Sequence, residues 1–203
     1  MGPLVVGGFY APASVLAELP RLGVRDSKLL SPARREEVYA RLRPLGRCLS
    51  LALAPSVIDR FVYRGRLNEL EARAFGRLVR TAGAGKVVAD ACDPRAERFG
   101  AAVRGFAGGR VEVDARHHAD RDVPVVGAAS IVAKVRRDRA IRRLATRLRE
   151  EVGSGYPSDP RTTALVRRTL ESGGGHVPWI RYSWRTTQRL KAVPTARTLE
   201  TFG

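Results

Sequence analysis

Lysine is scarce in this chain: only Lys28, Lys86, Lys134 and Lys191 occur, beside 33 arginines. Acidic residues are also few, 20 against 37 basic ones, which leaves a formal net charge of +17 at pH 7. Cysteine is limited to Cys48 and Cys92, too little for a disulfide framework or a zinc site. Both read as small buried hydrophobes in a reducing cytosol. Long apolar runs are missing as well. Residues 3–10 and 49–55 are the longest, and they fall far short of the roughly 20 residues of a membrane span. No charged segment followed by an apolar stretch opens the sequence, so no signal peptide is expected. There is no internal repeat. Together these absences point away from membrane and disulfide-stapled classes and predict a cytoplasmic protein.

What is present suffices for one good core. At 203 residues and 44% hydrophobic content, the chain can bury one domain with a small appended region. The positive charge favours phosphate-rich partners, because each neutralised phosphate releases counterions. GC-rich coding also enriches arginine, so charge alone supports nucleic acid over membrane only in part.

Residues 3–9 read as a strand and 14–22 as a short helix ending at Gly23. Ser31-Pro32 is a helix start, serine as N-cap and proline at the first helical position, running to about Leu42. Strands are expected at 48–54, Lys86–Asp90 and 110–115, and helices at 68–80 and 94–106. Residues 125–152 form the longest helical pattern, with Ala128, Ile131, Val132, Val135, Ile141, Leu144, Leu148 and Val152 on one stripe. Helices at about 160–170 and 184–190 follow. The order predicts an α/β domain over residues 1–152 and a helical region over 153–203.

Asp90 ends the apolar strand Lys86-Val87-Val88-Ala89, and ligands of open α/β sheets gather at strand carboxyl ends. Asp93, before Pro94, is free to cap the next helix, so Asp90 needs another role. Asp120, in His117-His118-Ala119-Asp120, follows the next strand. Two carboxylates at one sheet edge suit Mg²⁺ or Mn²⁺ rather than zinc, the usual means of phosphodiester hydrolysis. His117 and His118 read more simply as solvated or hydrogen-bonded residues. The long helix carries Lys134, Arg136, Arg137, Arg139, Arg142, Arg143, Arg147 and Arg149, a solvated face or a surface that tracks a phosphate backbone. In 153–160, Gly-Ser-Gly-Tyr-Pro-Ser-Asp-Pro, the glycines permit close approach and Tyr156 offers a stacking face and a hydroxyl. The bland reading is a rigid turn with the tyrosine packed down. Asp26-Ser27-Lys28 is a phosphate contact or a turn.

Six segments taken in order resemble the type 2 ribonucleases H. They are Gly23–Leu30, Asn68–Ala72, Val88–Asp90, His117–Asp120, Ala128–Asp138 and Gly153–Pro160. The match covers nearly the whole chain, and the Tyr156 segment and Trp184 region look closest to archaeal members. The resemblance implies a ribonuclease H-like mixed sheet flanked by helices, with a helical C-terminal region. It also implies a monomeric endonuclease that uses Mg²⁺ or Mn²⁺. Its expected substrates are RNA/DNA hybrid and ribonucleotide-containing DNA duplex, cut to leave 5′-phosphate and 3′-hydroxyl ends. Asp90 and Asp120 match two of the family's four catalytic carboxylates. Tyr156 matches the residue that senses the ribose 2′-hydroxyl, the feature that separates RNA from DNA. Lys28 matches the lysine of the family's Asp-Ser-Lys motif near the substrate backbone, and Lys134, on the basic helix face, is expected to hold that backbone with it. Family members open with a strand ending Asp-Glu-x-Gly-Arg-Gly, soon followed by Gly-Pro-Leu-Val, whereas here Met1 directly precedes Gly2-Pro3-Leu4-Val5. The expectation is that the other two carboxylates belong to a preceding segment. The alternative is an inactive hybrid-binding protein.

Overall fold

The computed structural model describes residues 1–24, 27, 29–173 and 175–192. In chain order the elements begin with β1 (Leu4–Tyr10), α1 (Ala13–Leu16), a 3-10 turn (Leu19–Leu22), α2 (Pro32–Leu42) and β2 (Arg47–Leu53). Next come α3 (Pro55–Val62), α4 (Leu67–Ala82), β3 (Lys86–Asp90), α5 (Ala96–Ala107) and β4 (Glu112–Arg116). Then follow α6 (Ala119–Asp122), α7 (Pro124–Leu148), α8 (Pro160–Glu171) and α9 (Arg185–Ala192). The fold is mixed α/β, as the motif order implied. Among the described residues β1 pairs with β2, and β3 pairs with β4 in parallel.

Local chemistry sets several of these boundaries. The Ser31 hydroxyl accepts from Arg34 N at 3.2 Å and Pro32 follows as the first helical residue, so α2 starts where the sequence signals it. Helix α4 ends at Gly83, whose φ of 69° is left-handed and cheap only for glycine. Two expectations shift. The short helix expected over 14–22 divides into α1 and the 3-10 turn, with Pro20 inside the latter. Helix α5 starts at Ala96 rather than Pro94, because the Asp93 carboxylate accepts from Arg95 N at 2.8 Å and makes a turn first. Helix α3 has no counterpart in the sequence reading, although Ala54-Pro55 carries the proline-first start signal.

The chain forms two compact units. One comprises Met1–Leu4, Leu53–Gly65 and Ala140–Gly203, and the other Val5–Ala52 and Arg66–Arg139. The second holds two cores. Phe9, Leu19, Val24, Val38, Tyr39 and Leu42 close on Ala128, Ile131, Val132 and Val135 of α7. Ala72, Val79, Ala89, Phe99, Val103 and Val111 join α4, α5 and the β3–β4 pair, with Phe75 and Phe99 edge-to-face at 5.2 Å. Each buried large aliphatic or aromatic side chain contributes about 1.5–3 kcal/mol. Close backbone approach fixes β1 against α7: a Cβ at Gly7 would lie 2.3 Å from Ala129 O.

The other unit has its own core of Ile141, Leu144, Val152, Leu165, Val166, Trp179, Ile180 and Tyr182. The single stripe read along α7 therefore feeds two cores, its first half in one unit and its second in the other. Buried Asp59 on α3 ties this unit together, accepting from Tyr182 N and Ser183 N at 2.9 Å each and from Ser183 Oγ at 2.5 Å.

Candidate active site

The β3–β4 register pairs Asp90 with Arg116, and Ala91 N donates to Arg116 O at 2.8 Å. Asp90 thus stands at the carboxyl end of its strand, as expected. After β4 the chain turns through exposed His117 and His118, and His118 takes a left-handed φ of 58°. This geometry is tolerated by histidine more readily than by bulkier or branched residues. The turn delivers Ala119 N to Asp90 Oδ1 at 3.1 Å. The Asp90 carboxylate therefore holds the first turn of α6, whose second residue is Asp120, 8% exposed. His118 takes the left-handed position of the turn; among the described residues no group of three or more His, Cys, Asp or Glu side chains is arranged to hold a metal ion.

The surroundings of Asp90 include groups to which the sequence reading gave no role. The Cys92 thiol donates to Asp90 O at 3.9 Å; Glu71 of α4 lies near it, and burial pushes the Glu71 carboxyl above the usual range. Cys92 reaches the surface. Even so, lost hydration, then the charges of Glu71 and Asp90, push its thiol up to about 12. Such a thiol is un-ionised and a poor nucleophile at neutral pH. Asn68 donates to Asp93 at 3.2 Å, and Arg98 grips Asp93 at 2.5–3.0 Å. That pairing, helped by Arg95 N, lowers the Asp93 carboxyl to about 2. The 68–72 motif thus packs beside the β3 end, and Glu71 was detectable only as part of that motif.

On α7, Lys134 Nζ donates to Ser27 Oγ at 3.0 Å and to Ser130 Oγ at 2.9 Å, and the two hydroxyls are 2.9 Å apart. Ser27 is 1% exposed. Lys28 lies outside the described residues. Other cations of α7 turn toward α2: Arg139 pairs with Glu36 at 2.6 Å, and Arg136 and Arg139 both lie over the Tyr39 ring. Arg142, Arg143, Arg147 and Arg149 are exposed, on the half that belongs to the other unit.

Within that unit the Tyr156 loop is a tight, hydrogen-bonded turn. Gly153 and Gly155 have φ of 70° and 76°, which places them in the left-handed region. Asp159 accepts from Ser154 N at 2.6 Å and Arg161 N at 2.9 Å, and these bonds lower its carboxyl. Gly155 N donates to Thr162 Oγ1 at 2.9 Å, and Thr162 Oγ1 donates to Val152 O at 2.8 Å. The turn is rigid, yet Tyr156 remains 40% exposed instead of packing down.

A family model described as Ribonuclease HII matches residues 1–187. The ribonuclease HII of Methanothrix thermoacetophila is 40% identical over 193 residues, covering 95% of this chain and 92% of its own length. Two solved structures are similar, each at 34% identity. The ribonuclease HII of the PCNA:RNase HII complex from Archaeoglobus fulgidus superposes with a TM-score of 0.84, covering 96% of this chain and 92% of that one. Ribonuclease H2 from Pyrococcus horikoshii OT3 gives 0.82, covering 94% and 90%. The chain belongs to the ribonuclease HII family. It is thus of the endoribonuclease class, hydrolases of phosphodiester bonds.

Proposed function

We propose that this chain hydrolyses the RNA strand of RNA/DNA hybrids and cuts at ribonucleotides embedded in duplex DNA, leaving 5′-phosphate and 3′-hydroxyl ends. It acts with Mg²⁺ or Mn²⁺, as a cytoplasmic monomer. The observation that carries this reading is the Asp90 carboxylate bonded to the turn that carries buried Asp120. Two hard carboxylates fit Mg²⁺, which keeps several waters and is held by one or two carboxylates plus substrate phosphates. Asp90 and Asp120 would hold the ion, which supplies charge stabilisation of the attacking and leaving oxygens.

The remaining roles belong to the chain's own groups. Tyr156, exposed on a rigid turn, presents its hydroxyl to the ribose 2′-hydroxyl. Lys134 holds the Ser27 hydroxyl, and its charge, with that of Lys28, serves to hold the substrate backbone. Exposed Arg142, Arg143, Arg147 and Arg149 supply the screened attraction that holds phosphates.

The test is cleavage of end-labelled hybrid and of a DNA duplex with one ribonucleotide, in Mg²⁺ and in Mn²⁺, with product ends mapped. Cutting confined to ribonucleotide positions supports the reading, and equal cutting of all-DNA duplex refutes it. Tyr156→Ala should slow cutting at the single ribonucleotide more than in long hybrid, where many registers remain. Equal losses would leave Tyr156 as a brace only.

A further inference from the structure

Trp184 presents a physical puzzle. The five residues before it are all buried: Trp179 at 8%, Ile180 at 0%, Arg181 at 7%, Tyr182 at 9% and Ser183 at 7%. Trp184 then turns outward with 37% of its surface exposed. Looseness does not account for it. Asp59 grips the two preceding amides, and Trp184 O accepts from Gln188 N at 2.9 Å in the first turn of α9. The ring is also braced, because the Arg181 guanidinium lies 4.6 Å from its centroid. Arg181 is itself anchored, its Nε donating to Gly2 O at 2.8 Å. A rigidly held, outward indole loses little conformational entropy when something packs on it.

The charge around it selects the partner. Arg185, Arg189 and Lys191 on α9 are exposed, and the sequence has no acidic residue between Glu171 and Glu200. An acidic or apolar protein surface is a poorer match for an indole backed by Arg181 and followed by the exposed cations of α9 than a polyanion with flat apolar faces. Nucleic acids combine the two, and aromatic packing beside basic side chains is their general mode of capture.

We propose that Trp184 is a packing platform for the nucleic-acid substrate, taking the apolar face of a sugar or base while Arg185 and Arg189 meet the flanking phosphates. The proposal rests on the nuclease reading for the choice of substrate, and its test separates the two. Trp179 and Trp184 are the only tryptophans, so intrinsic fluorescence reports on the platform. RNA/DNA hybrid is titrated into the full chain in EDTA, where hydrolysis is stopped.

The expected result is an emission change kept by Trp179→Phe and lost by Trp184→Phe; if Trp179→Phe does not fold, the wild-type minus Trp184→Phe difference carries the same information. Trp184→Ala should weaken binding about tenfold, with Phe restoring most of it. The slope of log Kd against log salt should stay the same in Trp184→Ala, because packing releases no counterions, and should fall in Arg185→Ala or Arg189→Ala. Unchanged Kd in Trp184→Ala, or a silent Trp184 while hybrid binds, overturns the platform. So does emission that shifts with protein concentration alone, which would assign the indole to self-association. A chain that binds with the emission change but never cuts in Mg²⁺ loses the nuclease reading and keeps the platform. One that cuts while Trp184 stays silent does the reverse.

Discussion

Under the proposed function Asp90 has two separable jobs, one structural and one chemical, and two substitutions distinguish them. Asn keeps an oxygen where Oδ1 accepts from Ala119 N at 3.1 Å, so the turn into α6 should survive. Exchanging a charged acceptor for a neutral one should cost no more than about 1 kcal/mol. Ala removes the acceptor altogether. Ala119 is 1% exposed, so its N–H loses its carboxylate partner where water has little access, at about 1–3 kcal/mol. Neither variant offers a carboxylate to a divalent ion, and both should lose hydrolysis by roughly a hundredfold or more, since even groups behind the ligands cost up to that. Denaturant unfolding gives the stabilities, and hybrid cleavage at saturating Mg²⁺ gives the rates. The reasoning requires Asn to be nearly as stable as wild type yet inactive, and Ala to be both unstable and inactive. An Asn variant cutting near the wild-type rate would remove Asp90 from metal binding. Equal stability of Asn and Ala would show that the bond to Ala119 does not hold the turn.

Gly7→Ala places a Cβ 2.3 Å from Ala129 O and 2.7 Å from Ala133 N, and backbone cannot rotate away; a loss of about 1–3 kcal/mol is expected in urea unfolding, and an unchanged midpoint would contradict the close packing of β1 on α7. The Asp93 carboxyl, held mainly by Arg98, is lowered from its ordinary 3.8 to about 2. Its contribution is therefore present above the unfolded-state value and lost as pH falls from about 4 through about 2. Thermal melts across that window should fall more steeply for wild type than for Asp93→Asn; parallel curves would show that the pairing with Arg98 contributes nothing to folding.

Much of the candidate site was legible along the chain because its signals are local. Strand β3 is a short apolar run ended by a carboxylate, and α2 carries its own serine cap and proline, so both start or stop where sequence chemistry alone demands. For the Gly153–Pro160 segment a turn was one of two readings, and the turn forms, with Asp159 also capping α8 by accepting from Arg161 N. Other features depend on partners distant in sequence. Nothing near Cys92 announces that Glu71 will stand close to it, since the two meet only when α4 lies beside the end of β3. Lys134 reads as one cation among many until Ser27, 107 residues away, is brought against it.

By itself, the sequence determined where α2 begins and where β3 and α4 end, that two carboxylates follow successive strands, and that Tyr156 sits in a glycine-rich turn. Those properties follow from backbone sterics, capping and the period of apolar residues, all of which act within a few positions. Tertiary structure alone decided that Asp90 holds the turn bearing Asp120, that the α7 stripe serves two cores, and that Trp184 faces outward on a buried arginine while its five predecessors face in. A side chain's burial and its hydrogen-bond partner are set by whatever packs against it, and that neighbour is chosen by the whole fold.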